Sequence, residues 1–364
     1  MVKNREYLEE LTKGAGLKDQ PNSHVMWDVS NSEVQTELKS VLEFATNERH
    51  SPLLSKAAWA YKDTAQDYIA DQVAPVYPVS DLSGKYRAFD ERTFYDRPDT
   101  PRGAESPPAK VTFGSSLTEY TLSGRALAMY LSNLDRSQAV TQYGSIANWQ
   151  RICTLFLTRL LLLDREMSIA AMYQTTTNYA SGFTDTASPI WSNAAATLQD
   201  DVMTGEDALM APRDTIIMGY NVKRECQKHS AIQGATTVSA PAIDQGKPYV
   251  NMAALENYFD SKIIVGGGRY NSTPGTDSPT MTRIWLDDVI IAHLAQDPGG
   301  PELSAPFART FKLNTTEIPN SDGWSVKTVQ DGSTLAGGEV LMVGYWADER
   351  IFAQKSGYHL TALT

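Results

Sequence analysis

Residues Ser145 to about Thr175 read SIANWQRICTLFLTRLLLLDREMSIAAMYQT and contain neither glycine nor proline. Their apolar residues recur at intervals of three and four, which is the period of an α-helix. This apolar series consists of Ile146, Trp149, Ile152, Cys153, Phe156, Leu160, Leu163, Met167 and Ala171. Ser145 follows a glycine and is a suitable N-cap. The stretch therefore predicts one helix of roughly 45 Å, which is long for a globular domain.

Charged and polar residues constrain where this helix lies. Arg159 and the charged cluster Asp164-Arg165-Glu166 interrupt the apolar run, so the helix is not expected to span a membrane. A narrow polar stripe follows one side of the helix and consists of Arg151, Thr154, Thr158 and Arg165. We expect a core helix whose polar stripe is a candidate inward or intersubunit face.

The composition excludes some functions. The chain of 364 residues has 43 acidic residues against 32 Lys and Arg, giving a net charge of −11. The chain is not expected to bind nucleic acid through the overall electrostatic field of the protein, because neutralising phosphates needs clustered Lys and Arg. The two cysteines, Cys153 and Cys226, define neither a disulfide framework nor a zinc spacing. The first residues lack the apolar core of a signal peptide, which predicts a soluble intracellular product.

The chain before the long helix contains segments without a core of their own. Two amphipathic helices are predicted in a polar arm, at Asn31–Arg49 and Ser55–Asp71. Strands are predicted at Val73–Val79, where Pro75 and Pro78 demand an edge position, at Gly84–Asp90 and within Lys110–Asn133. The intervening segment Glu91–Lys110 is rich in charge and proline. We expect a two-stranded excursion with a stiff charged tip, which requires a neighbouring surface because an isolated hairpin is marginal in water.

After the long helix the pattern changes to alternating helices and strands, which is typical of an α/β lobe. The predicted elements are a linker at Tyr179–Met210, a strand at Thr215–Gly219, a helix from Asn221 to about Ile232 with Asn221 as N-cap, a helix at Asn251–Phe259, and strands at Lys262–Val265 and Trp285–Leu294. From Phe307 the pattern predicts β-strands only.

No catalytic, cofactor or metal motif is visible. The run Gly266–Gly268 lacks the spacing and the following helix of a dinucleotide site, and indicates a tight backbone turn instead. Asp287 and Asp288 are the best carboxylate pair, but adjacent residues of a strand point to opposite faces and cannot flank one scissile bond. An α/β enzyme using either one as a general base remains an alternative.

The order of these parts resembles the major capsid protein of tailed bacteriophages, the Hong Kong phage type of capsid fold or Johnson fold. The stretches that carry the resemblance are YIADQVAPVYPV at Tyr68–Val79, RPDTPRGAESPP at Arg97–Pro108, RDTIIMGYNVKRECQKHSAI at Arg213–Ile232, LENYFDSKIIVGGGRYN at Leu255–Asn271, IWLDDVII at Ile284–Ile291, and the closing Gly357-Tyr358-His359-Leu360. They extend from about residue 68 to the C-terminus.

The resemblance implies an α+β fold with five parts. These are an N-terminal arm (1–72), an extended β-hairpin loop (73–125), a peripheral domain (126–200) with a spine helix at about 145–175, an α/β axial domain (201–305), and β-strands that return to the peripheral domain (306–364). It implies a virion protein, assembled in the host cytoplasm, that forms hexamers and pentamers. Its implied partners are scaffold and portal proteins, a decoration protein as an optional further partner, and packaged double-stranded DNA. No cofactor and no membrane partner are expected. An encapsulin-type compartment shell is the alternative with the same fold.

Intersubunit contacts are expected at the loop and the arm. Mixed charges near the loop tip suit salt bridges that set the register between subunits, although each exposed pair is worth only ~0–1 kcal/mol. The candidate contact residues are Arg87, Arg92, Arg97, Arg102, Lys110, Asp96, Asp99 and Glu105, with Asp90 beside them and Trp27 in the arm.

Overall fold

A computed structural model of the chain describes residues 48–50, 54, 58, 68–89, 97, 100, 101, 110, 115–143, 145–237, 250–294, 306–314, 324–332, 337–361 and 363. The chain divides into two compact units, Met1–Glu48 and Arg49–Thr364. Nearly all described residues belong to the second unit, and the description below concerns that unit.

The described elements are helices and strands in a mixed order. The α-helices are α1 (Ala70–Val73), α2 (Asn133–Tyr143), α3 (Ile146–Gln174), α4 (Leu198–Ala208), α5 (Tyr220–Lys228), α6 (Ser230–Thr237) and α7 (Met252–Phe259), with a 3-10 turn at Thr176–Asn178. The strands are β1 (Glu48–His50), β2 (Val76–Val79), β3 (Ser83–Phe89), β4 (Ser115–Thr121), β5 (Ser123–Ser132), β6 (Thr184–Thr186), β7 (Thr215–Gly219), β8 (Lys262–Gly266), β9 (Arg269–Asn271), β10 (Met281–Arg283), β11 (Val289–Ala292), β12 (Ala308–Leu313), β13 (Ser325–Asp331), β14 (Gly338–Ile351) and β15 (Gly357–Thr361).

The helix α3, called the spine helix below, confirms the prediction from Ser145 to about Thr175. Ser145 is its N-cap, and the Ser145 hydroxyl accepts a hydrogen bond of 3.2 Å from the Asn148 amide. The helix ends at Gln174, where Thr175 is extended. With 29 residues it is about 44 Å long.

The spine helix packs on a six-stranded sheet of order β1-β13-β14-β12-β2, in which β5 also pairs with β14. The long strand β14 pairs with β5 along one edge, and with β13 and then β12 along the other. Its alternate residues Leu341, Val343 and Tyr345 are buried, as expected for a strand with one face on a core. They meet Leu157 and Leu161 of the helix in one apolar cluster.

Strand β2 occupies the edge of this sheet, which confirms the position that Pro75 and Pro78 demand. It is shorter than the predicted strand at Val73–Val79, because Ala70–Val73 forms the short helix α1. The predicted helix at Ser55–Asp71 also differs at its end, since residues 68 and 69 are not helical.

A second sheet of five strands, of order β6-β15-β11-β7-β8, forms the core of the α/β lobe. Strand β11 is antiparallel to both β7 and β15, whereas β7 and β8 are parallel. Helices α4, α5 and α7 bury their apolar residues on it, around the fully buried Trp191. The closing strand β15 thus lies in this sheet, whereas the resemblance assigns residues 306–364 to strands of the peripheral domain.

Four details of the lobe differ from the sequence prediction. The stretch Tyr179–Met210, which was predicted to be a linker, contains strand β6 and helix α4. The predicted helix Asn221–Ile232 is two helices that break at His229, and its N-cap is Gly219 rather than Asn221. The predicted strand Trp285–Leu294 is limited to Val289–Ala292. Gly266 is not in a turn but in β8, where a Cβ would lie 2.2 Å from the indole of Trp285. Glycine is needed there because only a residue without a side chain allows this close packing.

Candidate assembly surface and its anchoring

Strands β3 and β4 form a two-stranded hairpin separate from both large sheets. They are antiparallel in a register that runs from Ser83 opposite Thr121 to Phe89 opposite Ser115. The two-stranded excursion predicted from the sequence is therefore present, with narrower limits, since β2 and β5 belong to the six-stranded sheet.

The root of the hairpin is anchored to the body by an aromatic cluster on Phe311 of β12. The ring of Tyr120 stacks on Phe311 with centroids 4.9 Å apart, and the ring of Tyr86 lies 5.0 Å from it. The buried Leu122 completes the cluster. Aromatic pairs at this separation contribute about 0.5–1.5 kcal/mol beyond the area they bury. The root of the hairpin is therefore rigid, because both of its strands contribute to these contacts.

Polar contacts reinforce this root. The Thr121 amide donates a 3.1 Å hydrogen bond to Asp348 Oδ2 on β14, and the Leu122 amide donates one of 2.8 Å to the Leu82 carbonyl. Between the anchoring residues Tyr120 and Tyr86, Lys85 and Glu119 form an exposed cross-strand ion pair of 3.0 Å. One position farther along the hairpin, Leu117 is 65% exposed. The hairpin is thus fixed at one end, and the side chains of Lys85, Leu117 and Glu119 are exposed to solvent.

The segment that leads into the hairpin is held by the spine helix through Glu166. The buried Glu166 carboxylate accepts hydrogen bonds from the amides of Ile69 (3.1 Å) and Ala70 (2.8 Å), at the start of α1. It also accepts one of 2.6 Å from Trp285 Nε1 in the α/β lobe. Burial raises the pKa of the Glu166 carboxyl, and the hydrogen bonds from Trp285, Ile69 and Ala70 oppose this shift. One carboxylate therefore connects the hairpin's approach, the spine helix and the lobe.

Arg165 and Tyr173 extend this anchor along the same helix face. Arg165 Nη1 forms an ion pair with Asp71 of α1, and its Nη2 donates a 3.3 Å hydrogen bond to Thr310 Oγ1 on β12. The Tyr173 hydroxyl donates a 2.6 Å hydrogen bond to the Val73 carbonyl. Both side chains are fully buried. We call Arg165, Glu166 and Tyr173 the spine anchor.

The predicted polar stripe of the spine helix is therefore not an inward or intersubunit face. Thr154 and Thr158 are fully buried and donate to the carbonyls of Gln150 and Thr154, four residues earlier. Arg165 is also buried, and of the four stripe residues only Arg151 is exposed. The stripe thus faces the chain's own core, where the two threonines bond to carbonyls of their own helix and Arg165 contacts Asp71 and Thr310.

The apolar series predicted for the core lies mostly on the opposite side. Phe156 is 51% exposed, Ile152 43%, Met167 38% and Leu160 37%. Cys153 is the fully buried member of that series, and the apolar core of the helix is made by Leu157, Leu161, Leu162, Ile169 and Ala170 instead. An exposed apolar stripe on a long helix indicates a surface that another chain or segment covers.

The structure describes three of the predicted contact residues. Arg97 and Lys110 are exposed, and Arg87 lies in β3 opposite Leu117. The others lie outside the described residues, namely Trp27, Asp90, Arg92, Asp96, Asp99, Arg102 and Glu105. Their intersubunit role stays a prediction. The spine anchor was not predicted as a unit, because nothing in the local pattern indicates partners about a hundred residues away.

Asp287 and Asp288 lie before β11 rather than in a strand, so the premise that they point to opposite faces of a strand is wrong. Asp287 Oδ1 accepts a 3.1 Å hydrogen bond from Asn221 Nδ2, and Asp288 Oδ2 lies 3.5 Å from the buried His359 Nε2. The backbone carbonyl of Asp288 accepts from the Gly219 amide. Both residues thus have contacts that fix the ends of neighbouring elements in the lobe.

The described part of the chain contains no group of three or more His, Cys, Asp or Glu side chains placed to hold a metal ion. Among the same residues, no helix combines the length and apolar character that crossing a membrane requires.

Comparisons with known proteins place the fold. No protein-family model and no curated protein matches the chain. Among solved structures, a phage-related protein from Bordetella bronchiseptica RB50 matches with a TM-score of 0.63 at 18% identity, over 86% of this chain and 97% of that one.

Two other solved structures have lower scores. The capsid of cyanophage P-SCSP1u has a TM-score of 0.48 at 11% identity, covering 81% of this chain and 88% of that one. The holo-SrpI encapsulin complex from Synechococcus elongatus PCC 7942 has 0.46 at 12% identity, covering 79% and 85%. Of these three, only the Bordetella protein exceeds 0.5, and the fold assignment rests on it together with the order of elements. The chain therefore has the mixed α+β fold that this phage-related protein has.

Proposed function

We propose that the chain is a major capsid protein, a structural subunit without catalysis that assembles as hexamers and pentamers into an icosahedral phage head around double-stranded DNA. The observation that carries the proposal is the hairpin β3–β4, which is anchored at its root and exposed beyond it. An isolated two-stranded hairpin is marginal in water. A hairpin that the fold fixes so firmly at one end gains its remaining stability from a neighbouring subunit.

The geometry of such a contact leads to a shell. A hairpin of one subunit on the body of the next is a heterologous contact, in which two different surfaces meet. Repeated contacts of this kind close into rings when the rotation allows it. Exposed apolar side chains on the hairpin and on the spine helix, such as Leu117 and Phe156, are suited to burial in these contacts.

The remaining partners belong to the same proposal. A scaffold protein and a portal, with a decoration protein as an optional further partner, would accompany assembly in the host cytoplasm, and the mature protein would be part of the virion. The packaged DNA would be contacted non-specifically. A net charge of −11 suits a container whose wall does not adhere to its contents.

Deletion of Glu91–Lys110 tests the role of the hairpin. The deleted segment lies beyond the anchored root, so the subunit should keep its circular dichroism spectrum and its melting temperature within a few degrees. Assembly, followed by light scattering and electron microscopy, should fail, because the hairpin can no longer reach a neighbour.

A length-preserving control separates reach from charge. In this control Arg92, Arg97, Arg102 and Lys110 are replaced by Gln, which keeps the hairpin's length but removes its cationic side chains. We expect shells from this variant only at higher protein concentration than the wild type needs, because each lost pair contributes ~0–1 kcal/mol. Normal shells from the deletion variant would refute the proposed role of the hairpin.

The contents of native particles distinguish the proposal from the alternative. A phage head yields double-stranded DNA after nuclease treatment of the exterior, whereas an encapsulin-type compartment yields a protein cargo. If the particles contain protein cargo and no DNA, the capsid proposal is wrong and the chain is a compartment shell protein.

A further inference from the structure

A polar pocket of about 480 Å³ lies between the spine helix, the approach to α1 and the short hairpin β9–β10. Its lining residues are Tyr68, Arg159, Tyr220, Gly267, Gly268, Arg269, Met281 and Arg283. A Cβ at Gly267 would meet nothing within 4 Å, so the backbone there borders open space. The pocket is large enough for a side chain of a second molecule.

The pocket concentrates positive charge. Arg159 comes from the spine helix, whereas Arg269 and Arg283 come from the paired ends of β9 and β10. None of the eight lining residues is Asp or Glu. Within the described part of the chain, these three arginines have no carboxylate partner, although the nearby Arg224 pairs with Glu225 at 3.4 Å. Three guanidinium groups without a counter-ion are unusual in a chain with a net charge of −11.

Arg283 is held in place for recognition. Its Nη1 donates a 2.7 Å hydrogen bond to the Gly267 carbonyl, and its guanidinium lies 4.0 Å from the centre of the Tyr220 ring. These contacts fix the plane of the guanidinium and leave its other N–H groups available. Burial lowers the pKa of Arg283, and the neighbouring charges of Arg269 and Arg224 lower it further. An anion in the pocket would relieve this repulsion.

We infer that the pocket formed by Arg159, Arg269 and Arg283 binds the carboxylate of an Asp or Glu side chain from a second copy of this chain. A planar carboxylate matches the two parallel N–H groups of a guanidinium, and such bidentate pairs are among the stronger hydrogen bonds in proteins. A second copy supplies the ligand readily, because the chain carries 43 acidic residues. A concave pocket suits a projecting side chain, whereas a DNA duplex binds to extended basic surfaces.

This inference rests on the proposed function, because it needs a second copy at close range. Its test uses shells assembled from Arg159→Lys or Arg269→Lys, which keep the charge and introduce a primary amine. A water-soluble carbodiimide activates carboxylates, and an amine in contact with one displaces the reagent to form an amide. Arg151→Lys is the matched control, because Arg151 is exposed two turns earlier on the same helix but does not line the pocket.

We expect a cross-linked dimer from shells of both pocket variants, beyond the background of the wild type and of Arg151→Lys. Mass spectrometry should place the amide between the introduced lysine and an Asp or Glu of another copy, and dissociated subunits should lack it. Shells without this cross-link, or with cross-links confined to one chain, would overturn this inference but leave the proposed function standing. A wild-type chain that stays monomeric would overturn the proposed function as well.

Removing the charge gives an independent readout. Arg159→Gln combined with Arg269→Gln should raise the protein concentration needed for assembly about tenfold at low salt, whereas Arg151→Gln should change it less than about twofold. Binding of a short DNA duplex to the dissociated subunits identifies the competing ligand. If the double variant loses duplex binding while its assembly is unchanged, the pocket is a nucleic-acid site and the inference is wrong.

Discussion

Glu166 connects three parts of the chain that are far apart in sequence. The amides that it accepts from are 97 and 96 residues earlier, and the Trp285 indole is 119 residues later. The sequence shows Glu166 only as a charge that interrupts an apolar helix. Its partners could not be predicted, because long-range hydrogen bonds leave no periodic signal in the residues around it.

Substituting Glu166 by Ala should strongly destabilise the subunit. The change leaves the Trp285 indole and the amides of Ile69 and Ala70 without an acceptor in a buried site. Leaving a buried donor unsatisfied costs about 1–3 kcal/mol, so we expect a loss of about 3 kcal/mol or more in the free energy of unfolding. Urea denaturation of the unassembled subunit measures this difference.

The control for this substitution is Asp164→Asn, two residues away. The Asp164 side chain is 60% exposed and pairs with Arg125 on the surface, so its loss should cost less than about 1 kcal/mol. Equal effects of the two substitutions would contradict the anchoring role of Glu166.

The raised pKa of Glu166 predicts a pH dependence. Because the folded-state pKa lies above the unfolded value near 4.5, the folded protein binds more protons between these two values. The contribution of Glu166 is therefore fully present below the unfolded pKa and is lost as the pH rises through the folded pKa. The free energy of unfolding of the wild type, relative to Glu166→Gln, should fall as the pH rises from about 4 to 7. A difference that is flat or grows with pH would show that the carboxylate is not desolvated.

At the scale of elements, the sequence predicted the length of the spine helix and its N-cap correctly. These depend on local features, namely the absence of Gly and Pro, a period of three to four, and Ser145 at the start. The buried face was predicted wrongly. Apolar residues surround much of this helix. Thr154 is buried with its hydroxyl bonded to the Gln150 carbonyl, and Glu166 is buried because distant parts of the fold supply its partners. Composition alone does not show which of two apolar faces meets the sheet.

Two adjacent substitutions test which face is buried. Leu157 is 3% exposed and packs under the six-stranded sheet, whereas Phe156 is 51% exposed. Leu157→Ser should lower the free energy of unfolding by about 3 kcal/mol or more, since it removes buried apolar atoms and adds a hydroxyl to the core. Phe156→Ser should change it by no more than about 0.5 kcal/mol. The reverse order in a denaturation experiment would contradict the orientation of the helix.

Strand assignments show the same division between local and distant information. The edge position of β2 was predictable because proline has no backbone N–H to donate, and an edge strand tolerates this gap in the ladder. The sheet to which β15 belongs was not predictable, since the fold of the whole lobe determines its partner strands β11 and β6. A terminal apolar strand can complete either sheet, and its own residues do not decide between them.

At the scale of the molecule, the order of parts predicted the fold better than any single motif. The structure has an anchored hairpin, a spine helix under one sheet and a lobe around a second sheet, and they follow one another along the chain in the predicted order. The domain boundaries themselves remain predictions. One regrouping is visible, since Leu54 and Ala58, which the sequence assigns to the arm, are buried in the cluster beneath the six-stranded sheet.

The central claim is that this fold builds a closed shell through contacts between copies, and electron cryomicroscopy of the assembled product tests it most directly. The account predicts closed particles with clusters of five and six subunits, in which each β3–β4 hairpin lies on an adjacent subunit. A chain that remains monomeric under all assembly conditions, or particles in which each hairpin contacts only its own chain, would contradict it.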